Sequence, residues 1–227
     1  MFVSLEGIDR AGKTTQAALL AESLGPSTVL LREPGGTETG ERLRELLKDP
    51  SLELDPRSEL LLFCAARAEL VERVIRPALA AGDHVVCDRF ADSTVAYQGA
   101  GRELGTARVA AVNEVALGGC RPDLTLLLRI EPDRAADRGQ LRLADGTADG
   151  TDRFEGEGVG FQRRVAEAYG EIAAADPDRV TVLDAERPID EVAADVLAVV
   201  RARCRAVSRV SPGGEPAGAA LGQAESS

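Results

Sequence analysis

The most constraining feature of this chain is an octapeptide near its start, Gly7-Ile8-Asp9-Arg10-Ala11-Gly12-Lys13-Thr14, which fits GxxxxGK[ST]. The short apolar run Phe2–Leu5 precedes it, and a helical pattern begins at Lys13 and continues through Thr15. Gly7 and Gly12 let the backbone turn so that successive amides face one anion. The N-terminus of the following helix adds partial positive charge there. Lys13 is placed to bridge β- and γ-phosphates and is expected to be solvent-reachable. Thr14 is placed to offer its hydroxyl to Mg²⁺, with Asp9 as a further metal candidate. A chance Gly-rich turn has no reason to sit between a buried strand and a helix.

The rest of the chain repeats that strand–helix alternation. Phe2–Leu5, Thr28–Leu31, His84–Cys87, Leu124–Ile130 and Val180–Leu183 are short and apolar, and each reads as a strand buried on both faces. Helical patterns cover Lys13–Ser23, Gly40–Leu47, Ser58–Ala81, Arg102–Leu117, Gly160–Ala175 and Ile189–Arg205. Alternation of this kind predicts right-handed βαβ units: an α/β, three-layer fold with a five-stranded parallel sheet and helices on both faces. Gln140–Gly150 has no apolar face and reads as a mobile surface loop. Residues 1–207 read as one domain, and 208–227, small, polar and Pro/Gly-containing, as a disordered tail.

Composition removes several classes. The chain has 227 residues, 44% hydrophobic and 29% charged, with a net charge of −11, which argues against non-specific binding to nucleic acid or anionic membrane. No apolar run is long enough to span a bilayer, and MFVSLEGIDR lacks the basic start of a secretory signal. Cys64, Cys87, Cys120 and Cys204 form no CxxC pair and read as small core residues in a reducing compartment. His84, the only histidine, reads as a strand-end residue, so histidine-dependent hydrolysis has little to stand on. Lysine occurs only at Lys13 and Lys48; every other cationic side chain is arginine.

The phosphate loop leaves the reaction open. Asn113 is the only asparagine and is followed by Glu114, so no Asn-Lys-x-Asp segment reads guanine. The strand His84–Cys87 ends in Asp88-Arg89 rather than Asp-Glu, which favours gripping a second anion over polarising water. Arg32 and Arg89 follow strands and should share the rim of the phosphate loop. Arg67 lies one helical turn after Phe63, so a ring and a guanidinium share one face. That pair can stack a base and clasp its phosphate, although Phe63 also reads as an ordinary core residue.

Taken together, GIDRAGKTT (Gly7–Thr15), REPGGT (Arg32–Thr37), LLFCAAR (Leu61–Arg67), DRFADSTVAYQGAG (Asp88–Gly101) and DRFE (Asp152–Glu155) resemble the thymidylate kinase family of P-loop nucleoside-monophosphate kinases. The resemblance runs from residue 2 to about residue 205. It implies a P-loop NTPase-type fold with a mobile lid at about 138–155, and transfer of the γ-phosphoryl of MgATP to dTMP on the way to dTTP. It also implies a homodimer, and the reading of the cysteines places the chain in the cytoplasm. ATP would be held by Gly7, Ile8, Asp9, Arg10, Ala11, Gly12, Lys13, Thr14, Thr15 and Arg142. On the acceptor side Phe63 matches the aromatic that stacks on thymine, Arg67 and Arg89 the arginines toward phosphate and base, and Ser93 and Thr94 the thymine edge. Gln98 lies near the base, Tyr97 matches the ring crowding the sugar 2′ position, and Asp9 the carboxylate beside the 3′-hydroxyl and Arg89. Asp152 and Glu155 match the acidic end of the lid. Lys13, Arg10, Arg89 and Asp9 carry the chemistry. Some members of the family place the cation for the moving phosphoryl in the loop and others in the lid; here Arg10 fills the loop position, while Arg138, Arg142 and Arg153 lie in or beside the lid. Ala66 stands where bacterial members commonly have Asp. Two other readings of the loop remain: a deoxynucleoside kinase, in which Asp9 or Glu33 would have to serve as base, and a nucleotide-binding protein without catalysis.

Overall fold

A run of alternating side chains at the N-terminus, Phe2-Val3-Ser4-Leu5-Glu6, makes the central strand. A computed structural model describes residues 1–144, 153–154 and 157–210. The strands are β1 (Phe2–Glu6), β2 (Thr28–Arg32), β3 (His84–Asp88), β4 (Leu124–Arg129) and β5 (Val180–Asp184), all parallel in the order β2-β3-β1-β4-β5. Val3 lies opposite Val86 on one side and Leu124 on the other. Successive residues of the inner strands serve different clusters: Val3, Leu5 and Val86 join one, Phe2, Val85 and Cys87 the other. The expected layers therefore form. Strands at the sheet edges differ from expectation, since β2 and β5 are half-exposed, with Leu30 47% and Val182 42% accessible. An edge strand has one neighbour and less helix over it.

The helices are α1 (Lys13–Leu24), α2 (Glu38–Lys48), α3 (Pro56–Leu70), α4 (Arg76–Ala80), α5 (Ala91–Thr94), α6 (Thr106–Leu117), α7 (Pro132–Ala144), α8 (Val159–Ala175) and α9 (Ile189–Val210). Thr37 caps α2 by accepting from the Gly40 amide, and Asp55 caps α3 with Pro56 following it. The pattern over Ser58–Ala81 is helical, but a π turn at Val71–Ile75 joins α3 to α4, the Arg76 amide bonding five residues back to Val71. Pro77, which has no amide and whose ring crowds the preceding turn, accounts for the wider turn. Residues 91–101, for which no helical pattern was read, are helical: α5 runs into a π turn at Val95–Gly101. Glycines and hydroxyl residues disguise that helix in the sequence. Gly101 is there for close approach, since a Cβ would lie 2.6 Å from the Phe161 ring. Two further boundaries move: the helix expected from Arg102 begins at Thr106, and Gln140–Ala144 belong to α7 rather than to a loop. The last helix reaches Val210, past Arg205.

All five strands end on a charged residue: Glu6, Arg32, Asp88, Arg129 and Asp184. Their carboxyl ends form one rim. β1 lies between β3 and β4, so the crevice at its carboxyl end is the topological switch point of the sheet, where open α/β sheets bind ligands.

Candidate active site

Gly7 leaves β1 at φ +142°, and a Cβ there would lie 2.5 Å from the Leu128 carbonyl, so the loop can pass β4 only with glycine. Gly12 closes the turn at φ +95° and caps α1. Between them Arg10 is left-handed (φ +66°), and Arg89, the residue after β3, is left-handed too (φ +71°). Such conformations cost non-glycine residues about 1–3 kcal/mol and cluster at functional sites.

The loop opens into a cavity of about 840 Å³ that reaches from α2 and α3 to the start of α9. Asp9, Arg10, Ala11, Gly12, Lys13, Thr14 and Thr15 line it, with Arg32, Phe63, Arg67, Arg89, Ser93, Thr94, Tyr97, Gln98 and Arg138. Gly7 and Ile8 support the loop from beneath: Ile8 is in the core, and its carbonyl accepts from Lys13 Nζ at 2.7 Å. Lys13 is only 5% exposed, contrary to the expectation of a solvent-reachable ammonium. Burial first, and Arg89 second, bring its pKa down to about 8 against the pull of Asp9, Asp88 and Glu6.

Arg89 is knitted to the loop. It donates to the Gly7 carbonyl at 3.0 Å, to Ser93 Oγ at 3.2 Å, to the Tyr97 hydroxyl at 3.1 Å and to Asp9. The second Asp9 oxygen accepts from Gln162 Nε2 at 2.9 Å. Burial pushes the Asp9 carboxyl up, but Arg89 and Lys13 outweigh it and hold the group below its ordinary value. Both Asp9 oxygens are thus engaged. Asp88 is different: Thr14 donates to its Oδ2 at 2.5 Å, and its buried Oδ1 has no hydrogen-bond partner among the described residues. A hydroxyl beside a carboxylate with an unsatisfied oxygen fits a Mg²⁺ ion that takes most of its ligands from phosphates and water.

On the acceptor side Arg67 is 1% exposed, and most of its donors are taken by protein. Glu33 accepts from its Nε at 2.9 Å and from Nη2 at 2.6 Å, Asn113 Oδ1 from Nη1 at 2.7 Å, and Thr94 Oγ1 from Nη2 at 2.8 Å. Glu33 therefore does the work of a carboxylate next to Arg67 in sequence, and Ala66 packs in the core. Ser93 and Thr94 turn their hydroxyls to these arginines. Gln98 donates to Glu59 Oε1 at 2.7 Å. Phe63 packs edge-on against Phe154, with ring centroids 5.8 Å apart. Arg32 forms a two-pronged pair with Glu41 at 3.1 and 2.9 Å.

Of the residues read as the lid, Arg138 lines the cavity and donates to the Ala185 carbonyl at 2.7 Å. Arg153 points elsewhere, to Glu59 at 2.6 Å and to the Leu47 carbonyl at 3.2 Å. Asp152, Glu155 and the side chain of Arg142 lie outside the described residues.

Sequence reasoning missed several groups. Lys48 and Arg44 on α2 line the cavity, as do Arg187, Pro188 and Ile189 at the far end. Glu6 lies under the site and accepts from the Phe90 amide at 2.8 Å, Ser93 Oγ at 2.6 Å and the Tyr169 hydroxyl at 2.8 Å. Burial, and then Asp92, raise its pKa to about 7. Glu6 was visible as the charge ending an apolar run; the others carried no local signal.

A phosphate loop facing a phenylalanine and an arginine-rich floor across one crevice suits transfer between two phosphorylated nucleotides, and comparison with known proteins decides which kind. Residues 5–196 match the family model described as Thymidylate kinase. The chain belongs to the thymidylate kinase family. It is similar to the thymidylate kinase of Deinococcus radiodurans, 45% identical over 210 residues, covering 89% of this chain and 97% of that protein. With that of Syntrophotalea carbinolica it shares 47% over 195 residues, 84% of this chain and 90% of the other. The crystal structure of thymidylate kinase from Ehrlichia chaffeensis superposes with a TM-score of 0.71 at 34% identity, covering 88% of this chain and 98% of that one. Thymidylate kinase membership accounts for the long crevice, which must hold two nucleotides end to end.

Proposed function

We infer that this chain phosphorylates dTMP with ATP, giving dTDP and ADP, a transferase step toward dTTP. The observation that carries the reading is the single cavity shared by the phosphate loop and by Phe63, Arg89 and Tyr97. ATP would lie with its phosphates on the loop amides and Lys13, and its base toward Pro188 and Ile189 at the start of α9. dTMP would lie between Phe63 and Tyr97, the latter crowding the sugar 2′ position, with its phosphate near Arg89, Arg32 and Arg44. We place Arg67 chiefly as the buried support of that floor, because Nε, Nη2 and one Nη1 hydrogen are taken by Glu33, Thr94 and Asn113, which leaves at most one donor for a ligand.

The acceptor phosphate is already anionic near neutral pH, so no general base is needed, and catalysis is positioning plus neutralisation of charge. Asp9, held anionic, fixes Arg89 against the loop. Arg10 stands at the cavity on a rigid turn and is the cation we assign to the transferred phosphoryl. Thr14 and Asp88, rather than Asp9, would hold Mg²⁺, which when bound neutralises nucleotide phosphate charge.

A homodimer is supported by Val115, 86% exposed, and Leu61, 59% exposed, on the adjoining helices α6 and α3. Light scattering of the purified chain tests it. Among the described residues no helix is long and apolar enough to cross a membrane, and four free cysteines suit the reducing cytoplasm in which we place the chain. The deciding experiment is ADP release with dTMP, dUMP, UMP, CMP and thymidine as acceptors. Turnover greatest with dTMP and absent with thymidine is expected; turnover with thymidine would make the chain a nucleoside kinase.

A further inference from the structure

Glycine inside a helix costs roughly 1 kcal/mol against alanine, and α7 carries one at Gly139, where it is buried. Built at this position, a Cβ would overlap Arg10 Cζ, Nη1 and Nε. The Arg10 guanidinium therefore lies against bare helix backbone, in space that any other residue would fill. The other end of the same side chain is also costly, because Arg10 leaves the loop from a left-handed conformation at φ +66°. Two independent local penalties, one on the loop and one on α7, meet at one guanidinium.

We propose that Gly139 is a positioning residue for Arg10: the gap in α7 is a socket that sets where the loop cation stands over the transferred phosphoryl. This rests on the assignment of Arg10 as that cation. Gly139 itself touches no substrate. It acts by letting α7 close on the guanidinium, so that the loop and the helix at the edge of the lid fix one charge between them. The position of such a charge matters steeply, since a displacement of about 1 Å can cost about 10²-fold in rate.

Gly139→Ala displaces only the far end of a flexible side chain, so the fold should survive with an unchanged or higher Tm. Expected is a fall in kcat of roughly 10–100-fold, with KM for ATP and dTMP within about threefold, because a cation that acts on developing charge shows in kcat. Gly170→Ala is the control: Gly170 is an exposed helix glycine on α8 whose Cβ would meet nothing within 4 Å. It should raise Tm and leave kcat alone. In an Arg10→Ala background Gly139→Ala should cost less than about threefold, since the group it displaces is gone. An unchanged or raised kcat in Gly139→Ala overturns the proposal, as does an equal proportional loss with and without Arg10. Should Gly139→Ala fail to fold, adding Arg10→Ala should restore folding by freeing the space, and failure to restore it overturns the proposal. Loss of the effect in Arg10→Ala alone, with kcat near wild type, instead overturns the assignment of Arg10.

Discussion

The two halves of the cavity are built by different means. The donor half is a contiguous stretch, Gly7–Thr15, in which backbone amides and a helix start do the binding and the cations come from the loop itself. The acceptor half has almost no backbone role. Its polar side chains come from five regions of the chain and are held by carboxylates from elsewhere: Arg67 by Glu33, Arg32 by Glu41, Gln98 by Glu59, and Arg89 by Asp9 of the loop. Geometry that backbone supplies in one half is held in the other by side-chain pairs, buried at Arg67–Glu33 and half-exposed at Arg32–Glu41. Side-chain losses on the donor side should therefore read out in rate, and those on the acceptor side in stability and affinity.

The largest expected effect is on the donor side. Lys13→Ala should lower kcat by about 10³-fold or more, with Tm little changed, because the ammonium is buried at a cost that already depresses its pKa. A rate within tenfold of wild type breaks the donor half of the comparison. Arg10→Ala should lower kcat by at least about 10²-fold with little change in KM for ATP. Arg138→Ala, Arg142→Ala and Arg153→Ala should each cost less; steady-state kinetics of the four variants decides, and a larger loss from any lid arginine moves the cation from loop to lid.

On the acceptor side Glu33→Ala leaves the Arg67 guanidinium buried without its anion. That should destabilise the fold by about 3–5 kcal/mol, a fall in Tm of roughly 6–20 °C by calorimetry. A stable variant with normal KM for dTMP would show the pair to be dispensable. Phe63→Ala should raise KM for dTMP about 5–150-fold, using the roughly 1–3 kcal/mol of base–aromatic stacking, and leave KM for ATP unchanged. Equal loss for both nucleotides would mean collapse of the Phe63–Phe154 contact, visible by circular dichroism.

The smallest effect concerns Glu6, which lies beneath both halves. Its pKa is raised from 4.5 to about 7, so the folded state holds its proton more tightly than the unfolded state. The stability it contributes is complete below about pH 4.5 and is lost as pH rises through 7. Glu6→Gln mimics the protonated acid and should flatten the decline in Tm between pH 5 and 7. Parallel Tm curves for the two proteins would remove Glu6 from the account.

The same contrast explains what could be read from sequence. All five strands were visible as apolar runs, and for β1, β2, β3 and β5 the run stopped one residue before the charged rim residue that ends the strand. The loop was legible because backbone binding leaves a compact glycine signature. Glu33, Asn113 and Glu59 were not, because a carboxylate facing an arginine 34 residues away leaves no periodic mark. The 91–101 helix was hidden for a related reason. Its glycines answer to neighbours such as Phe161 on α8 rather than to local propensity.

Both lysines of the chain, Lys13 and Lys48, line the cavity. They carry the only side-chain primary amines in the sequence. Arginine carries the remaining positive charge, and its guanidinium does not react with acylating agents near neutral pH. Burial and the neighbouring Arg89 bring the Lys13 pKa down to about 8 and so favour its neutral amine. A mild amine acylator thus becomes a probe of one crevice: Lys48 at its rim is half-buried and Lys13 only 5% exposed, so both should react slowly, and a nucleotide seated on the loop should slow them further, read from the mass of the intact chain.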